Sequence, residues 1–319
     1  MSFITREANI DDAEELFKLT KKFHENSFLR EEPFTTDLND FISSCFSKKP
    51  KAHYFIAEFQ GKMLGYSTYS LSYSVLEGAS IVITELYVRE DYRGLGVSTF
   101  LYSKIFDVAF KNKTNLIKWH VSLASKKHID IEKKMGVAID MDNLVLNIQR
   151  KNIKKFLENN SHNTEYNVHK AKTFELPEIF DCVKLYAKEK NIDIQTDVYK
   201  LMSAAFSSNP KIRFIVAKKD EEVIGFLSFF DAYYSSSDKI LIADIIIVQK
   251  KMRGKNVGYS LLKYLAKYVY ENNYAKAETV ISKYNIEKIE RLKEFGMFPY
   301  DNVRIASYQR EEFEKFFEN

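Results

Sequence analysis

Cysteine is nearly absent from this chain: Cys45 and Cys182 are the two among 319 residues. They sit at unmatched places in the two halves, which argues against a structural disulfide and fits a reducing compartment. Histidine is almost as sparse, and the six (24, 53, 120, 128, 162 and 169) show no ligand spacing, which argues against a metal site. A strong excess of either charge is also missing. The 48 basic and 44 acidic residues leave a net charge of +4, which by itself points neither to nucleic acid nor to a membrane surface. No apolar stretch approaches the roughly 20 residues of a membrane span. The start, Met1-Ser2-Phe3-Ile4-Thr5-Arg6-Glu7, lacks the apolar core of a secretory signal, so the expected location is the cytoplasm. Two nucleotide signatures fail as well. Gly94 and Gly96 make Gly-x-Gly, but the third glycine would fall at Thr99, and no Gly-Lys-Ser/Thr follows either glycine loop.

What is present is ample apolar material, 45% of the chain with 25 Phe and 20 Tyr, enough for ordered cores. The length suggests two domains of about 150 residues. A repeat supports that division. Gly65 recurs as Gly225, Tyr73 as Tyr233, Val88 as Val248, Arg93 as Arg253, Leu101 as Leu261, Ser122 as Ser282 and Gly136 as Gly296. A period of about 160 residues is a domain duplication, not a solenoid. Both copies share one order: a short strand, two helical stretches, three strands, a basic loop, a long helix, a strand, a helix and a last strand. Asp11 and Thr173 are the expected caps of the first helices. The boundaries read as 1–149 for the first unit, 150–165 for a polar connector with helical character near Ile153 to Leu157, and 166–319 for the second unit.

The repeated loops carry the functional signal. Arg93-Gly94-Leu95-Gly96-Val97-Ser98 follows the apolar run Ile81 to Val88, and Arg253-Gly254-Lys255-Asn256-Val257-Gly258 follows Ile240 to Val248. Each opens an amphipathic helix. A strand, a loop of free N–H groups and a helix N-terminus make an anion cradle. Isolated, such a loop is more often a surface turn; repeated in register, it is a strong signal. Lys250, Lys251 and Lys255 lie where they could draw in a phosphate. Trp119 and the aromatic runs Tyr69 to Tyr73 and Phe226 to Tyr234 read most simply as core and cleft walls.

This order, with Arg-x-x-Gly-x-small after the fourth strand, resembles the GNAT superfamily of coenzyme A-dependent N-acetyltransferases, once per half. Gly65-Tyr66-Ser67-Thr68 and Glu85-Leu86-Tyr87-Val88 are similar to its polyamine and small-amine branch. The resemblance implies a mixed α/β (α+β) fold: two tandem GNAT-like domains, each a mixed, mostly antiparallel sheet flanked by helices. It implies that acetyl-coenzyme A is held by Leu86, Tyr87, Val88, Arg93, Gly94, Leu95, Gly96, Val97 and Ser98, and by Val248, Arg253, Gly254, Lys255, Asn256, Val257 and Gly258. Asn256 and Ser98 depart from the family glycines, though Asn accepts positive φ and a backbone cradle tolerates Ser.

The implied reaction is attack of an uncharged amine on a thioester, which needs a base to take the ammonium proton. Glu85 and Asp244 are the candidates, and a main-chain N–H near Tyr87-Val88 would hold the oxyanion. The first copy, with its central Gly96, is the favoured working half. The family's proton-donating Tyr is missing from both copies: Ile131-Glu132 and Arg291-Leu292 stand at its place, and Tyr87, Tyr92 and Tyr300 have no positional support for the role. The expected acceptor is a small-molecule amine or a peptide N-terminus, with no nucleic acid, membrane or metal partner; a homodimer is allowed. The rival functions are a non-catalytic acyl-coenzyme A sensor and an aminoacyl or peptidyl transferase of tandem GNAT fold.

Overall fold

The structure is a computed structural model that describes residues 3–159 and 166–315. Residues 160–165 of the expected connector, His162 among them, lie outside the described residues. In the first half, β1 (Ile4–Glu7) leads to α1 (Ala13–Asn26) and α2 (Leu38–Cys45). Then come β2 (His53–Phe59), β3 (Lys62–Ser74), β4 (Gly78–Val88), α3 (Val97–Lys111), β5 (Leu116–Ser122), α4 (Lys126–Lys134), β6 (Ala138–Ile139), β7 (Asn143–Gln149) and α5 (Arg150–Asn159). The second half repeats the series as β8 (Asn167–Lys170), α6 (Leu176–Lys190), α7 (Val198–Phe206), β9 (Arg213–Lys219), β10 (Glu222–Tyr234) and β11 (Asp238–Val248). It continues with α8 (Val257–Glu271), β12 (Lys276–Ser282), α9 (Ile286–Glu294), β13 (Phe298–Pro299), β14 (Val303–Gln309) and α10 (Arg310–Glu314). No helix among the described residues is long and apolar enough to cross a membrane.

The expected mixed, mostly antiparallel sheets are present, each of seven strands with helices on both faces. Their membership does not follow the halves of the chain. The N-terminal sheet runs β1-β2-β3-β4-β5-β14-β6, and the C-terminal sheet β8-β9-β10-β11-β12-β7-β13. Each half thus gives its last strand to the other. β14 pairs antiparallel with β5 from Val303–Ser122 to Gln309–Leu116, and β7 pairs with β12 from Asn143–Ser282 to Gln149–Lys276. The helices travel with the strands: Phe313 of α10 is buried in the N-terminal core with Phe106 and Trp119, while Ile153 and Phe156 of α5 are buried against α8.

The β3–β4 and β10–β11 hairpins also cross. Tyr233 is buried among Leu16, Phe17 and Tyr66 of the first half, and Tyr73 and Val75 are buried among Ile179, Leu201 and Phe226 of the second. Thr35 N–H donates to the Ser236 carbonyl, and Gln195 N–H to the Leu76 carbonyl, a pair of contacts related by the repeat. Local chemistry sets the first helix differently from the expectation at Asp11. Asn9 accepts the Asp11 N–H and opens a short 3-10 turn ahead of α1; at the matching place the Glu175 carboxylate accepts the Lys172 N–H, and Thr173 does not cap.

Candidate active site

Both halves build the same frame. β4 and β5 pair in parallel from Ser80–Leu116 to Ile83–Trp119; β11 and β12 pair from Leu241–Ala277 to Ala243–Thr279. At that point each β4-type strand carries an extra residue, Thr84 or Asp244, at a bulge against β3 or β10. A bulge increases local twist and re-aims side chains, and beyond it the two parallel strands no longer pair. Arg89 N–H donates to the Leu64 carbonyl and Gln249 N–H to the Ile224 carbonyl. By the alternation of an antiparallel ladder, the N–H groups of Leu86, Val88, Ile246 and Val248 therefore turn away from β3 or β10 and into the gap. The Tyr87 amide falls on the ladder side.

The basic loops close one end of each gap. Gly96 (φ +81°) and Asn256 (φ +59°) stand in left-handed conformation immediately before α3 and α8, and neither helix has a side-chain cap. Asparagine tolerates the φ that glycine supplies in the other copy. Both helix N-termini thus present their positive dipole ends without a cap from the N-cap side chain. A Cβ at Gly94, Gly96 or Gly254 would meet nothing within 4 Å. The loop arginines brace these turns: Arg93 Nε donates to the Val88 carbonyl and Arg253 Nε to that of Val248, and Arg253 also makes a two-pronged pair with Glu189 at 2.6 and 2.7 Å.

The gaps differ in their filling. In the second half a cleft of about 720 Å³ runs from the loop Arg253-Gly254, Asn256, Val257 and Gly258 along Asp244 to Val248 and faces Thr279 to Ser282. Such a volume suits a small-molecule site. Tyr186, Lys190, Tyr259, Asn285, Lys288 and Arg291 complete its wall. Three of its lining residues, Leu262, Thr279 and Leu292, correspond in the repeat to Tyr102, Trp119 and Glu132. In the first half these are larger side chains, Tyr102 and Trp119 buried and Glu132 half-buried. The rings of Tyr102 and Trp119 lie 5.7 Å apart in one apolar cluster with Leu86, Val88 and Val121. Trp119 Nε1–H donates to Glu132 Oε1 at 3.3 Å, and burial pushes the Glu132 carboxyl up to about 7 in spite of that donor.

The two acids have different surroundings. Glu85 is 2% exposed: Oε1 accepts the N–H and hydroxyl of Ser235, each at 2.7 Å, and Oε2 accepts the Tyr66 hydroxyl at 2.8 Å. Burial pushes its carboxyl up to about 7, the three donors pulling the other way. Asp244 lines the open cleft and meets Lys118 Nζ of the first half at 3.4 Å. Lys118, which sequence reasoning missed, lies too far along the chain for any local pattern to link it to Asp244. Tyr300 is not in the cleft: its hydroxyl meets Lys276, Glu32 and Glu278 in a buried cluster at the seam. Tyr92 accepts from Lys62, and Tyr87 lies among Tyr66 and Arg93. Tyr186 and Tyr259 line the cleft and were also missed.

This frame, a bulge-splayed sheet with an uncapped helix at the mouth of the gap, is that of an acyltransferase. A profile of the acetyltransferase (GNAT) family matches residues 13–136 and 179–297, and the chain belongs to that family. Its enzymes are N-acetyltransferases that generally take acetyl-coenzyme A as co-substrate. The chain is 26% identical over 143 residues to thialysine N-epsilon-acetyltransferase of Sus scrofa, a match covering 42% of this chain and 84% of that protein. The Bos taurus protein of the same name is 26% identical over 145 residues, covering 43% and 85%. Two solved structures share the fold over nearly the whole length. A tandem GNAT protein from the clavulanic acid biosynthesis pathway has a TM-score of 0.54 at 14% identity, covering 97% of this chain and 98% of its own. A GCN5-related N-acetyltransferase from Sphaerobacter thermophilus has 0.57 at 12%, covering 96% and 95%.

Proposed function

We propose that the chain transfers an acetyl group from acetyl-coenzyme A to a primary amine, and that the C-terminal cleft is the working site. The observation that carries this is the open gap between β11 and β12, with an uncapped helix at its mouth and an acid at its bulge. The donor set fits coenzyme A: first-turn amides of α8 for the pyrophosphate, and Lys190, Lys288 and Arg291 around the cleft. When bound there it supplies an activated acyl carbon. Around it the chain's own groups divide the work. Ile246 and Val248 offer main-chain N–H groups along the gap, where charge on a carbonyl oxygen needs a donor. Asp244 takes the proton of the acceptor ammonium, directly or through a water.

The first half is assigned a supporting role. Its loop keeps the cradle, but Trp119, Tyr102 and Glu132 occupy the space that the cofactor arm would need. Glu85, closed in by Ser235 and Tyr66, is assigned to the seam instead of to proton transfer. This reverses the preference for the first copy that its central glycine suggested. The thialysine N-epsilon-acetyltransferase relatives favour a small-molecule amine as acceptor over a peptide N-terminus.

Titration calorimetry with coenzyme A tests the assignment. One equivalent per chain is expected. Gly258→Glu, whose Cβ would face Val248 at 3.9 Å, should abolish binding, and the matched Ser98→Glu should not. Two equivalents, or loss of binding through Ser98→Glu alone, would overturn it. Asp244→Asn should slow acetyl transfer while leaving coenzyme A affinity unchanged.

A further inference from the structure

The C-terminal cleft is not finished by its own half. Lys118 stands on β5, opposite Val82 of β4 and Ser307 of the exchanged β14, so strands on both sides fix its backbone. Its Nζ lies 5.2 Å from the centroid of the Phe230 ring of β10 and reaches Asp244 at the cleft wall. Neither partner is free in water: the side chains are 18% and 11% exposed. Ion pairs on open surface are weak, but this one is shielded and crosses between halves. Its counterpart in the repeat is no ion pair: Thr84 stands for Asp244, and Glu278 for Lys118.

A second carboxylate sharpens the need for a cation. Glu77, on the turn between β3 and β4, is held above the usual carboxylate range by burial and then by Asp244. Lys118 pulls the Glu77 carboxyl the other way, so its charge serves both acids. The other titratable and charged groups lining the cleft are Tyr186 and Lys190 of α6, Arg253 of the loop, Tyr259 of α8, and Lys288 and Arg291 of α9.

Resting on the reading of Asp244 as base, we propose that Lys118 is a positioning residue for it, supplied by the N-terminal half. Lys118 holds the Asp244 carboxylate in one orientation at the cleft wall and gives it a shielded counter-charge. The step it prepares moves one proton from the acceptor ammonium to an Asp244 oxygen and leaves a neutral amine; no other bond changes. The duplication thereby gains a function that neither half has alone: one copy carries the cleft and the other its charge partner.

The test uses the full chain with Lys118→Met, Lys118→Arg and Asp244→Asn. Carboxyl carbons of aspartate are labelled and observed by NMR, with the Asp244 signal assigned from its Asn variant. In Lys118→Met that signal should shift and kcat should fall about tenfold or more, with acetyl-coenzyme A and lysine or putrescine as acceptors, while coenzyme A affinity holds; Lys118→Arg should restore both. An unmoved Asp244 signal with unchanged kcat in Lys118→Met overturns the inference. Full activity in Asp244→Asn overturns the base assignment instead, and the NMR signal in Lys118→Met tells the two failures apart.

Discussion

Glu85 and Ser235 close the seam between the halves with two hydrogen bonds to one carboxylate oxygen. The repeat-related positions are Ile245 and Val75, which belong to one apolar cluster. A single duplicated contact has become polar on one side and greasy on the other.

The polar side titrates. A carboxyl whose folded pKa lies above its unfolded value keeps its proton longer in the native state. Glu85 goes from 4.5 to about 7 on folding, so its stabilising proton is fully present below about pH 4.5 and lost as pH rises to about 7. Thermal melts should show wild-type stability falling across that window, with Glu132 adding to the fall. Glu85→Gln should flatten the slope, by about 1–3 kcal/mol over the window. An unchanged slope would show that Glu85 ionises freely.

Copying the apolar side should be cooperative. Glu85→Ile leaves the Ser235 hydroxyl buried without an acceptor, and Ser235→Val removes a donor from a buried acid. Each alone should destabilise in urea unfolding, and the double variant should recover about 1–2 kcal/mol of the summed loss. Strict additivity would count against direct coupling.

Lys276 is 0% exposed and pairs with Glu32 at 2.8 Å and Glu278 at 3.3 Å. Lys276→Met removes the ammonium and leaves its two carboxylate partners enclosed. The expected cost is about 3–5 kcal/mol, read as a lower urea midpoint. A change below about 1 kcal/mol would mean that water reaches the cluster.

Trp119 offers a stability test separate from ligand binding. Trp119→Thr copies Thr279 into the first half and should cost about 3–5 kcal/mol through the void it opens. Affinity of the C-terminal cleft for coenzyme A should hold. A large loss of affinity would mean that the cofactor lies against Trp119 instead.

Gly65 and Gly225 are matched for a reason of packing. A Cβ at Gly65 would sit 2.4 Å from the Tyr87 carbonyl oxygen, and at Gly225 2.9 Å from that of Ile247. Alanine should strain β4 at Gly65 and the cleft strand β11 at Gly225, by about 1–3 kcal/mol, more at Gly65. Chemical denaturation of the two variants gives the order.

Much of this frame was legible in the sequence because it depends on local chemistry. The β2 to β4 strands, both loops, the helices after them and the positive φ of Asn256 follow from alternation and turn residues. Trp119 as core also follows. The exchange of β7 and β14 was not legible. Asn143–Gln149 and Val303–Gln309 alternate in the same way, and alternation says that a segment is a strand without naming its sheet. The state of each gap was equally hidden, because Tyr102, Trp119 and Glu132 meet only in three dimensions. The loop glycine favoured the first half, while side-chain volume behind the loop favours the second.

The traded strands set an order of events in the life of the chain. The N-terminal sheet leaves the ribosome with a vacancy between β5 and β6 that stays until β14 is made. During that interval β5 offers an unpaired edge, the kind of template on which foreign strands add. A premature stop at residue 302 would therefore injure the half of the protein farthest from it in sequence. It would also unseat Lys118, whose strand loses a neighbour.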